Sequence, residues 1–273
     1  MAASANSGSA PAEPRPMTVP AFRAAKAEGR KLVVITAYDF TFARLLDAHV
    51  DALLVGDSLG MVVQGHKTPL PVTARQMAYH TEMVARAARH SLVIADMPFL
   101  SYQTGVAQAV RRCGKMLKLG ANAVKIEGGV TQRRTLRALV EAEIPVMGHV
   151  GMTPQAVNRF GGFKVQHDEK RILEDAQAVA AAGAFALVIE CVPATIAAAV
   201  TATVSIPTIG IGAGPSCDGQ VLVMHDLLGL IEHPRPKFVK RYAELGTAIT
   251  EAVRKYAQEV QLGSFPGPEH TFH

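Results

Sequence analysis

Leu92-Val93-Ile94-Ala95-Asp96 is a short, continuously apolar run that ends in an acidic residue. The same arrangement recurs along the chain, where similar runs end at or beside Asp57, Glu127, His149 and Glu190. Apolar runs of this length, rich in Val, Ile and Leu, are typical of parallel strands that are covered on both faces. If the runs are strands of one barrel, these ionisable groups all lie on the rim where such barrels do chemistry.

Eight runs of strand length are spaced through the chain, at residues 32–36, 52–56, 92–95, 123–126, 146–149, 186–190, 207–210 and 221–225. Helical patterns lie between many of them, at residues 73–89, 104–119, 131–142, 168–183 and 193–203, and a last one covers 238–261. This alternation predicts an α/β fold, and eight units predict a (β/α)8 TIM barrel. A doubly wound open sheet is the alternative, because the gap between the seventh and eighth strands is too short for a full crossover helix.

Length and composition favour one catalytic domain. The chain has 273 residues, 49% of them hydrophobic, and no change of composition divides it after the first residues. Residues 1–16 are rich in Ala, Ser and Pro and lack the pattern of a signal peptide, so we expect a disordered leader there. A single barrel domain is expected over residues 17–273.

Charge, cysteine content and hydropathy narrow the range of partners. The net charge of +5 comes from Lys and Arg residues that are dispersed along the chain, so we expect no nucleic-acid partner. Three cysteines without a C-x-x-C motif indicate neither a disulfide framework nor a zinc site and favour the reduced cytoplasm. No apolar stretch approaches the roughly 20 residues that span a bilayer, so no membrane partner is expected.

Asp57 and Asp96 are candidate metal ligands, with Glu127 close to them in the predicted barrel order. A hard cation such as Mg²⁺ is usually held by one or two carboxylates, while water and substrate oxygens complete its octahedron. Either aspartate alone could equally cap the helix that follows its strand. The pair of them, with the nearby glutamate, favours a metal site.

Lys125 and Glu127 are two residues apart in the fourth predicted strand, so their side chains point the same way, toward the barrel mouth. A lysine buried in a strand needs a partner, either this glutamate as a structural ion pair or an anionic ligand. The glycines that follow, Gly128 and Gly129, would let a ligand approach the backbone.

His149 and Glu190 are the candidates for proton transfer. His149 lies at the tip of the fifth predicted strand, where a catalytic role is as well supported as that of a structural histidine. Glu190 closes an otherwise apolar run, a setting that suits a general base near neutral pH, although a solvated glutamate at the start of a loop is the alternative.

Seven motifs in this chain resemble those of one family, the ketopantoate hydroxymethyltransferases. They are residues 35–39 (ITAYD), 55–61 (VGDSLGM), 95–99 (ADMPF), 124–129 (VKIEGG), 148–155 (GHVGMTPQ), 189–193 (IECVP) and 209–223 (IGIGAGPSCDGQVLV). The resemblance implies transfer of a hydroxymethyl group from 5,10-methylenetetrahydrofolate, a co-substrate, to 3-methyl-2-oxobutanoate. The product is 2-dehydropantoate, in the first step of pantothenate biosynthesis. It also implies a TIM barrel of the phosphoenolpyruvate/pyruvate-binding type, assembled as a cytoplasmic homo-oligomer, often a decamer.

The resemblance implies roles for individual residues as well. Asp57 and Asp96 would bind Mg²⁺, and Glu127 would join them directly or through water. Ser58, Asp96 and Lys125 would hold the small-molecule 2-oxo acid.

Glu190 would accept the proton beside the ketone, which gives a Mg²⁺-stabilised enolate. Lys125 would then add positive charge where negative charge develops.

Two other functions remain open at this point. A carbon–carbon lyase similar to isocitrate lyase would share the barrel and the metal carboxylates. Such an enzyme would carry a nucleophile or acid, often a cysteine, on a mobile loop, where Cys191 and Cys217 are the candidates. A non-catalytic protein that binds nucleic acid through its basic charge is the second alternative.

Overall fold

A computed structural model describes residues 16–231 and 236–272. Its sheet consists of eight parallel strands: β1 (Leu32–Thr36), β2 (Ala52–Val55), β3 (Leu92–Asp96), β4 (Ala123–Glu127), β5 (Val146–Gly151), β6 (Ala186–Glu190), β7 (Thr208–Ile211) and β8 (Gly219–Leu222). The predicted leader lies almost wholly outside the described residues.

The strands pair in chain order, and β8 pairs with β1, so the sheet closes into a barrel. Closure confirms the predicted TIM barrel and rules out the open, doubly wound sheet, in which two strand edges would stay unpaired. As the sequence indicated, β7 and β8 follow each other without a helix between them. A loop therefore connects β7 to β8, where the other units of the barrel have a helix.

Helices surround the barrel. They are α1 (Val19–Ala24), α2 (Phe40–Leu46), α3 (Leu59–Val62), α4 (Ala74–Ala87), α5 (Val106–Lys118), α6 (Arg133–Glu141), α7 (Val157–Phe160), α8 (Glu169–Ala181), α9 (Ala194–Thr203), α10 (Met224–Leu227) and α11 (Leu245–Gln261). Short 3-10 turns cover Asp47–His49, Val130–Gln132, Pro154–Ala156 and Pro268–His270. The helices predicted at 73–89, 104–119, 131–142, 168–183 and 193–203 correspond to α4, α5, α6, α8 and α9.

Local capping explains where two of these helices begin. The Thr73 side chain accepts a hydrogen bond from the Gln76 backbone N–H, and the Gln76 side chain accepts one from the backbone N–H of Thr73. This reciprocal capping box starts α4 where the sequence predicted it. In the same way, the Asp168 carboxylate accepts a hydrogen bond from the Arg171 backbone N–H at the start of α8.

Two predicted boundaries were wrong. The eighth strand was predicted at 221–225 but runs over Gly219–Leu222, because Gly219 fits against the Leu32 carbonyl oxygen, only 2.4 Å from where a Cβ would stand. The last helix was predicted at 238–261 but begins at Leu245. Before that residue, the backbone N–H of Tyr242 bonds to the Leu227 carbonyl oxygen instead of to a helical partner.

The core has two layers, one inside the barrel and one between the barrel and its helices. Inside the barrel, the lower layers are aliphatic and come from alternate residues such as Leu32, Ala52 and Leu92. Phe22 of α1 closes the bottom against Phe185, with ring centroids 5.7 Å apart in an edge-to-face arrangement. The opposite end, at the carboxyl ends of the strands, is therefore the open one.

No helix within residues 16–231 and 236–272 is both long enough and apolar enough to cross a bilayer.

Candidate active site

The inward-facing positions change from aliphatic to ionisable along the strands. In β4, Ala123 belongs to the aliphatic layer, whereas Lys125 and Glu127 lie above it at the rim. In β6, Val188 is succeeded at the rim by Glu190. A cavity of about 190 Å³ lies over the barrel axis, and all seven predicted site residues line it: Asp57, Ser58, Asp96, Lys125, Glu127, His149 and Glu190.

Lys125 and Asp96 form the central ion pair of this cavity, which we call the catalytic cavity. Strand register places the two residues side by side, and the Lys125 Nζ lies 2.7 and 2.8 Å from the two Asp96 carboxylate oxygens. Both side chains are buried, with 5% and 3% exposed. Burial opposes the charge on the ammonium, but the carboxylates of Asp96 and Glu127 outweigh it and raise the pKa of Lys125. The lysine is therefore a fixed positive charge inside the barrel mouth.

Asp57 follows β2 and lies against Asp96. Its backbone N–H donates to an Asp96 oxygen at 3.3 Å, and its carboxylate accepts a hydrogen bond from Gln155 Nε2 at 2.8 Å. Burial, followed by repulsion from Asp96 and Glu127, raises the pKa of Asp57 well above its usual value. Burial also raises the pKa of Asp96, although Lys125 opposes the shift. The buried acidic groups thus repel one another.

His149 lies between two glutamates. Its Nδ1 is 3.4 Å from Glu127 Oε1, and its Nε2 is 3.2 Å from Glu190 Oε2. Neither ring nitrogen reaches hydrogen-bond geometry, so charge dominates these contacts. Burial and the Lys125 ammonium oppose protonation of the ring, but the flanking carboxylates outweigh them and raise the pKa of His149 to about 9. At neutral pH the ring is an imidazolium that bridges two acids.

The turn after Glu190 has an unusual backbone conformation. Cys191 adopts φ of 47°, the left-handed region that a side chain with a Cβ rarely occupies. Hydrogen bonds hold the strained residue in place: its N–H donates to the Ile211 carbonyl oxygen, and its own carbonyl oxygen accepts from the Gln166 N–H. Such strain persists only where the surroundings fix it. Here it fixes the direction in which the chain leaves Glu190.

Ser58 makes its side-chain contact with Tyr38. The two hydroxyl oxygens are 2.8 Å apart, and Tyr38 is buried. The Tyr38 carbonyl oxygen in turn contacts His80 Nδ1 at 2.6 Å. Ser58 is therefore held at the edge of the cavity by a side chain that comes from the loop after β1.

Three residues of this site were missed by sequence reasoning. Gln155 donates to Asp57, and its backbone N–H donates to Glu127 Oε2 at 3.0 Å. Tyr102, which is buried, donates from its hydroxyl to Gln155 Oε1 at 2.9 Å. Asp226 of α10 also lines the catalytic cavity, and burial raises its pKa. Only Gln155 had a signal, since it lies in the quoted motif at 148–155.

The two glycines after Glu127 are positions of close packing. A Cβ on Gly129 would stand 2.3 Å from Asp175 Cβ in α8, and a Cβ on Gly128 would stand 2.9 Å from a Gln132 side-chain carbon. The Asp175 carboxylate accepts a hydrogen bond from the Val130 backbone N–H at 2.8 Å. Gly129 therefore allows close packing of the chain on α8, and Gly128 allows close packing on the Gln132 side chain. Both glycines also line a cavity on this rim, so the predicted approach of a ligand stays a prediction.

The donor set fits a hard divalent cation. Acidic groups outnumber basic ones in the catalytic cavity, and the buried Glu127 Oε1 has no hydrogen-bond partner. Across residues 16–231 and 236–272, no three acidic, histidine or cysteine side chains form a ready metal-ligand cluster. Mg²⁺ does not need three, because one or two carboxylates suffice when water and substrate oxygens supply the rest. Asp57 and Asp96 provide such a pair.

Cys191 and Cys217 lack the properties of a reactive thiol. Burial, with the nearby Glu190 charge, raises the pKa of Cys191 to about 12, and burial also raises the pKa of Cys217. Both side chains therefore stay protonated at neutral pH and are weak acids and nucleophiles. This argues against the lyase alternative.

A closed (β/α)8 barrel with a buried lysine among carboxylates at the carboxyl ends of its strands defines a class: barrel enzymes that act on small anionic substrates. A family model described as "Ketopantoate hydroxymethyltransferase" matches residues 16–268. The chain belongs to this family.

Curated relatives agree with the family model. The 3-methyl-2-oxobutanoate hydroxymethyltransferase of Trichlorobacter lovleyi is 57% identical over 261 residues, covering 94% of this chain and 98% of that protein. The proteins of the same name from Pelobacter propionicus and Xanthomonas euvesicatoria are each 55% identical. They align over 94% and 96% of this chain and over 97% and 98% of their own lengths.

Solved structures of low identity share the fold. Phosphonopyruvate hydrolase in complex with oxalate and Mg²⁺ has a TM-score of 0.60 at 15% identity, with 93% of each chain covered. A second structure is that of 2,3-dimethylmalate lyase, a member of the PEP mutase/isocitrate lyase superfamily. Its TM-score is 0.58 at 18% identity, with 93% of this chain and 91% of that chain covered. The likeness shows that the chain shares the barrel fold of these proteins.

Proposed function

We propose that this protein transfers a hydroxymethyl group from 5,10-methylenetetrahydrofolate to 3-methyl-2-oxobutanoate, giving 2-dehydropantoate in the first step of pantothenate biosynthesis. The observation that carries this proposal, beside family membership, is the arrangement of Lys125, the carboxylates and Glu190 around one small cavity. A cavity of about 190 Å³ suits a short 2-oxo acid. Its fixed positive charge suits the negative charge that develops on the substrate oxygen during enolisation.

Asp57 and Asp96 would hold Mg²⁺, with Glu127 in reach directly or through water. When bound there with the ketone and carboxylate oxygens of the substrate, Mg²⁺ would withdraw electron density and make the proton beside the ketone more acidic. Ser58, Asp96 and Lys125 would orient the acid. Two Lys125 N–H groups are used on Asp96, which leaves the third of its three donors for the substrate.

Glu190 would take the proton from the substrate C3. Its side chain is 17% exposed and lies across the cavity mouth from the aspartates. The His149 imidazolium, 3.2 Å from Glu190 Oε2, holds that carboxylate in place and balances its charge. His149 therefore assists the base by positioning it.

The overall reaction balances with one water. The electron pair left on C3 forms the new carbon–carbon bond to the one-carbon unit of the folate. The two bonds between that carbon and the folate nitrogens break, and water supplies the hydroxyl group of the product. The proton removed from C3 and the remaining proton of the water end on the two folate nitrogens, so tetrahydrofolate leaves. No external oxidant is required.

The test is proton exchange at C3 of 3-methyl-2-oxobutanoate in deuterated water, followed by NMR without folate. Wild-type enzyme with Mg²⁺ is expected to exchange this proton, and a chelator is expected to stop the exchange. Glu190→Gln should abolish exchange while leaving Mg²⁺ and substrate binding largely intact. Retained exchange in Glu190→Gln would refute the assignment of the base, and failure of the wild type with and without folate would refute the substrate.

We also propose that the protein is a cytoplasmic homo-oligomer, with the decamer as the size that the resemblance implies. Helix α11 supports self-association, because it contains no buried residue and leaves Ile249, Val253, Tyr256 and Val260 exposed. Spacings of three or four residues place these side chains on one helical face. A second copy of this chain would cover them. Sedimentation velocity should show an oligomer, and Val253→Glu should shift it toward smaller species.

A further inference from the structure

A second and larger cavity lies beside the catalytic one. Its volume is about 560 Å³, and it is bounded by loop residues 99–103, 128–132 and 150–160 together with the first turns of α8. We call it the rim cavity. It lies on the same rim of the barrel as the catalytic cavity, above β3, β4 and β5.

The two cavities share a thin partition. Glu127 lines both of them. Two pairs of consecutive residues are also divided between the cavities. Pro69 lines the catalytic cavity and Leu70 the rim cavity, and in the same way Pro154 lines the catalytic cavity and Gln155 the rim cavity. A molecule in the rim cavity is therefore separated from the 2-oxo acid by the thickness of single residues.

The two cavities differ in the size of molecule that they can hold. Sites that bury molecules of drug size have volumes of about 300–1,000 Å³. The catalytic cavity, at about 190 Å³, is below this range and holds a short acid. The rim cavity, at about 560 Å³, is within it. A two-substrate reaction with one small and one large substrate needs a large site next to the small one, and the rim cavity adjoins the catalytic cavity at Glu127.

The lining of the rim cavity suits a molecule with an aromatic body and an anionic tail. Phe99 is 39% exposed, and Phe160 is half-buried, so both offer ring surface for stacking. The Arg159 guanidinium lies 5.4 Å from the centroid of the Phe160 ring and has no carboxylate partner in the described part of the chain. Arg171 is exposed and has only a long contact, 3.8 Å, with Asp175. Glu127, Glu174 and Asp175 also line the cavity, but neither guanidinium group makes a close ion pair with them, so both can pair with carboxylates of a ligand.

We propose that the rim cavity binds the one-carbon donor, a reduced folate. Its flat ring system would pack against Phe99 and Phe160. The carboxylates of its glutamate would pair with Arg159 and Arg171. The transferable carbon would then approach the 2-oxo acid beside Glu127.

This inference rests on the proposed function, which requires a folate. It adds which residues recognise that folate.

The test is direct binding of tetrahydrofolate, measured by isothermal titration calorimetry in the presence of Mg²⁺ and 3-methyl-2-oxobutanoate. Arg159→Ala and Arg171→Ala together are expected to weaken binding about ten- to a hundredfold, the loss typical of charged hydrogen bonds. The matched control is Arg75→Ala. Arg75 is an exposed arginine of α4 that does not line the rim cavity. It should bind tetrahydrofolate as the wild type does.

A second variant tests the space rather than the charge. Asn158→Trp places a large ring on an exposed position that lines the rim cavity, and it should also weaken tetrahydrofolate binding. In both sets of variants, folate-free proton exchange at C3 should continue at the wild-type rate, because the catalytic cavity is untouched.

The possible results separate this proposal from the proposed function. Unchanged tetrahydrofolate affinity in the arginine and tryptophan variants would overturn the rim cavity as the folate site, even if the wild type is fully active. Loss of C3 exchange in the wild type would instead contradict the proposed function. Wild-type exchange without any tetrahydrofolate binding would overturn the rim-cavity proposal and the folate as donor, while enolisation of the 2-oxo acid would stand.

Discussion

Replacing Lys125 with methionine removes the positive charge on which the acidic cluster depends. The Lys125 Nζ is 2.7 Å from Asp96 Oδ1 and 3.9 Å from Glu127 Oε1, and its side chain is 5% exposed, so solvent and salt screen these contacts poorly. Removing one partner of a buried ion pair costs about 3–5 kcal/mol. For a chain of this length, such a loss lowers the unfolding temperature by about 6–20 °C.

The loss should depend on pH in a definite direction. Without the ammonium, the pKa values of Asp57 and Asp96, already raised by burial, rise further above those of the unfolded chain. The folded state then binds more protons than the unfolded state, so stability falls as pH rises through the raised carboxyl pKa values. The difference between wild type and Lys125→Met is therefore expected to be larger at pH 8 than at pH 5.

Thermal and urea unfolding with chelator present, at fixed protein concentration, measure this difference. The control is Lys125→Met combined with Asp96→Asn, which removes both partners and should recover a large part of the stability without recovering C3 exchange. A loss below about 1 kcal/mol, the range of exposed ion pairs, would refute the reasoning. A loss that does not change between pH 5 and pH 8 would refute it as well.

Three further substitutions test other parts of the structure. Burial works against the charge of Asp47, but hydrogen bonds from three backbone N–H groups lower the pKa of its carboxyl group. Asp47→Asn should therefore lower the free energy of unfolding by about 2 kcal/mol in urea at pH 7. This difference should shrink as the pH falls through the lowered pKa. Gly148→Ala would place a Cβ 2.4 Å from Val179 Cγ1 and should lower the free energy of unfolding by about 1–3 kcal/mol. Adding Val179→Ala should restore part of that stability. A double variant no more stable than Gly148→Ala would contradict the predicted clash. Tyr38→Phe frees the Ser58 hydroxyl and should raise the KM for the 2-oxo acid on the order of fivefold with little change in kcat, whereas an unchanged KM would show that Ser58 needs no such partner.

The barrel could be predicted from sequence because its signal is local. Strands covered on both faces are continuously apolar, so the runs that end at Asp96 and Glu190 mark their own boundaries. The two-residue period then places Lys125 and Glu127 on one side of β4 without further information. The gathering of the ionisable groups on one rim follows from topology alone, since all parallel strands end there.

The errors arose where long-range contacts decide the local conformation. Gly219 looks like a turn residue, yet it belongs to β8 because only a glycine fits against Leu32 there. The helical pattern before Leu245 is overridden by hydrogen bonds of that segment to residues of and after α10. Tyr102 and Gln155 lie far apart in the sequence and in loops, where neither periodicity nor composition indicates that they meet.

The buried carboxylates show that the rim serves chemistry at the expense of stability. Asp57 and Asp96 lie in a place that excludes water, and burial, with repulsion from Glu127, raises the pKa of both carboxyl groups. Nothing in the packing requires them, because the aliphatic layers below and the helices outside already hold the barrel closed. A single lysine offsets part of the repulsion while keeping one N–H group unused. The carboxylates are therefore only partly neutralised by the protein itself. Such a site is well suited to bind a cation together with an anionic substrate, because binding supplies the charge balance that the protein alone lacks.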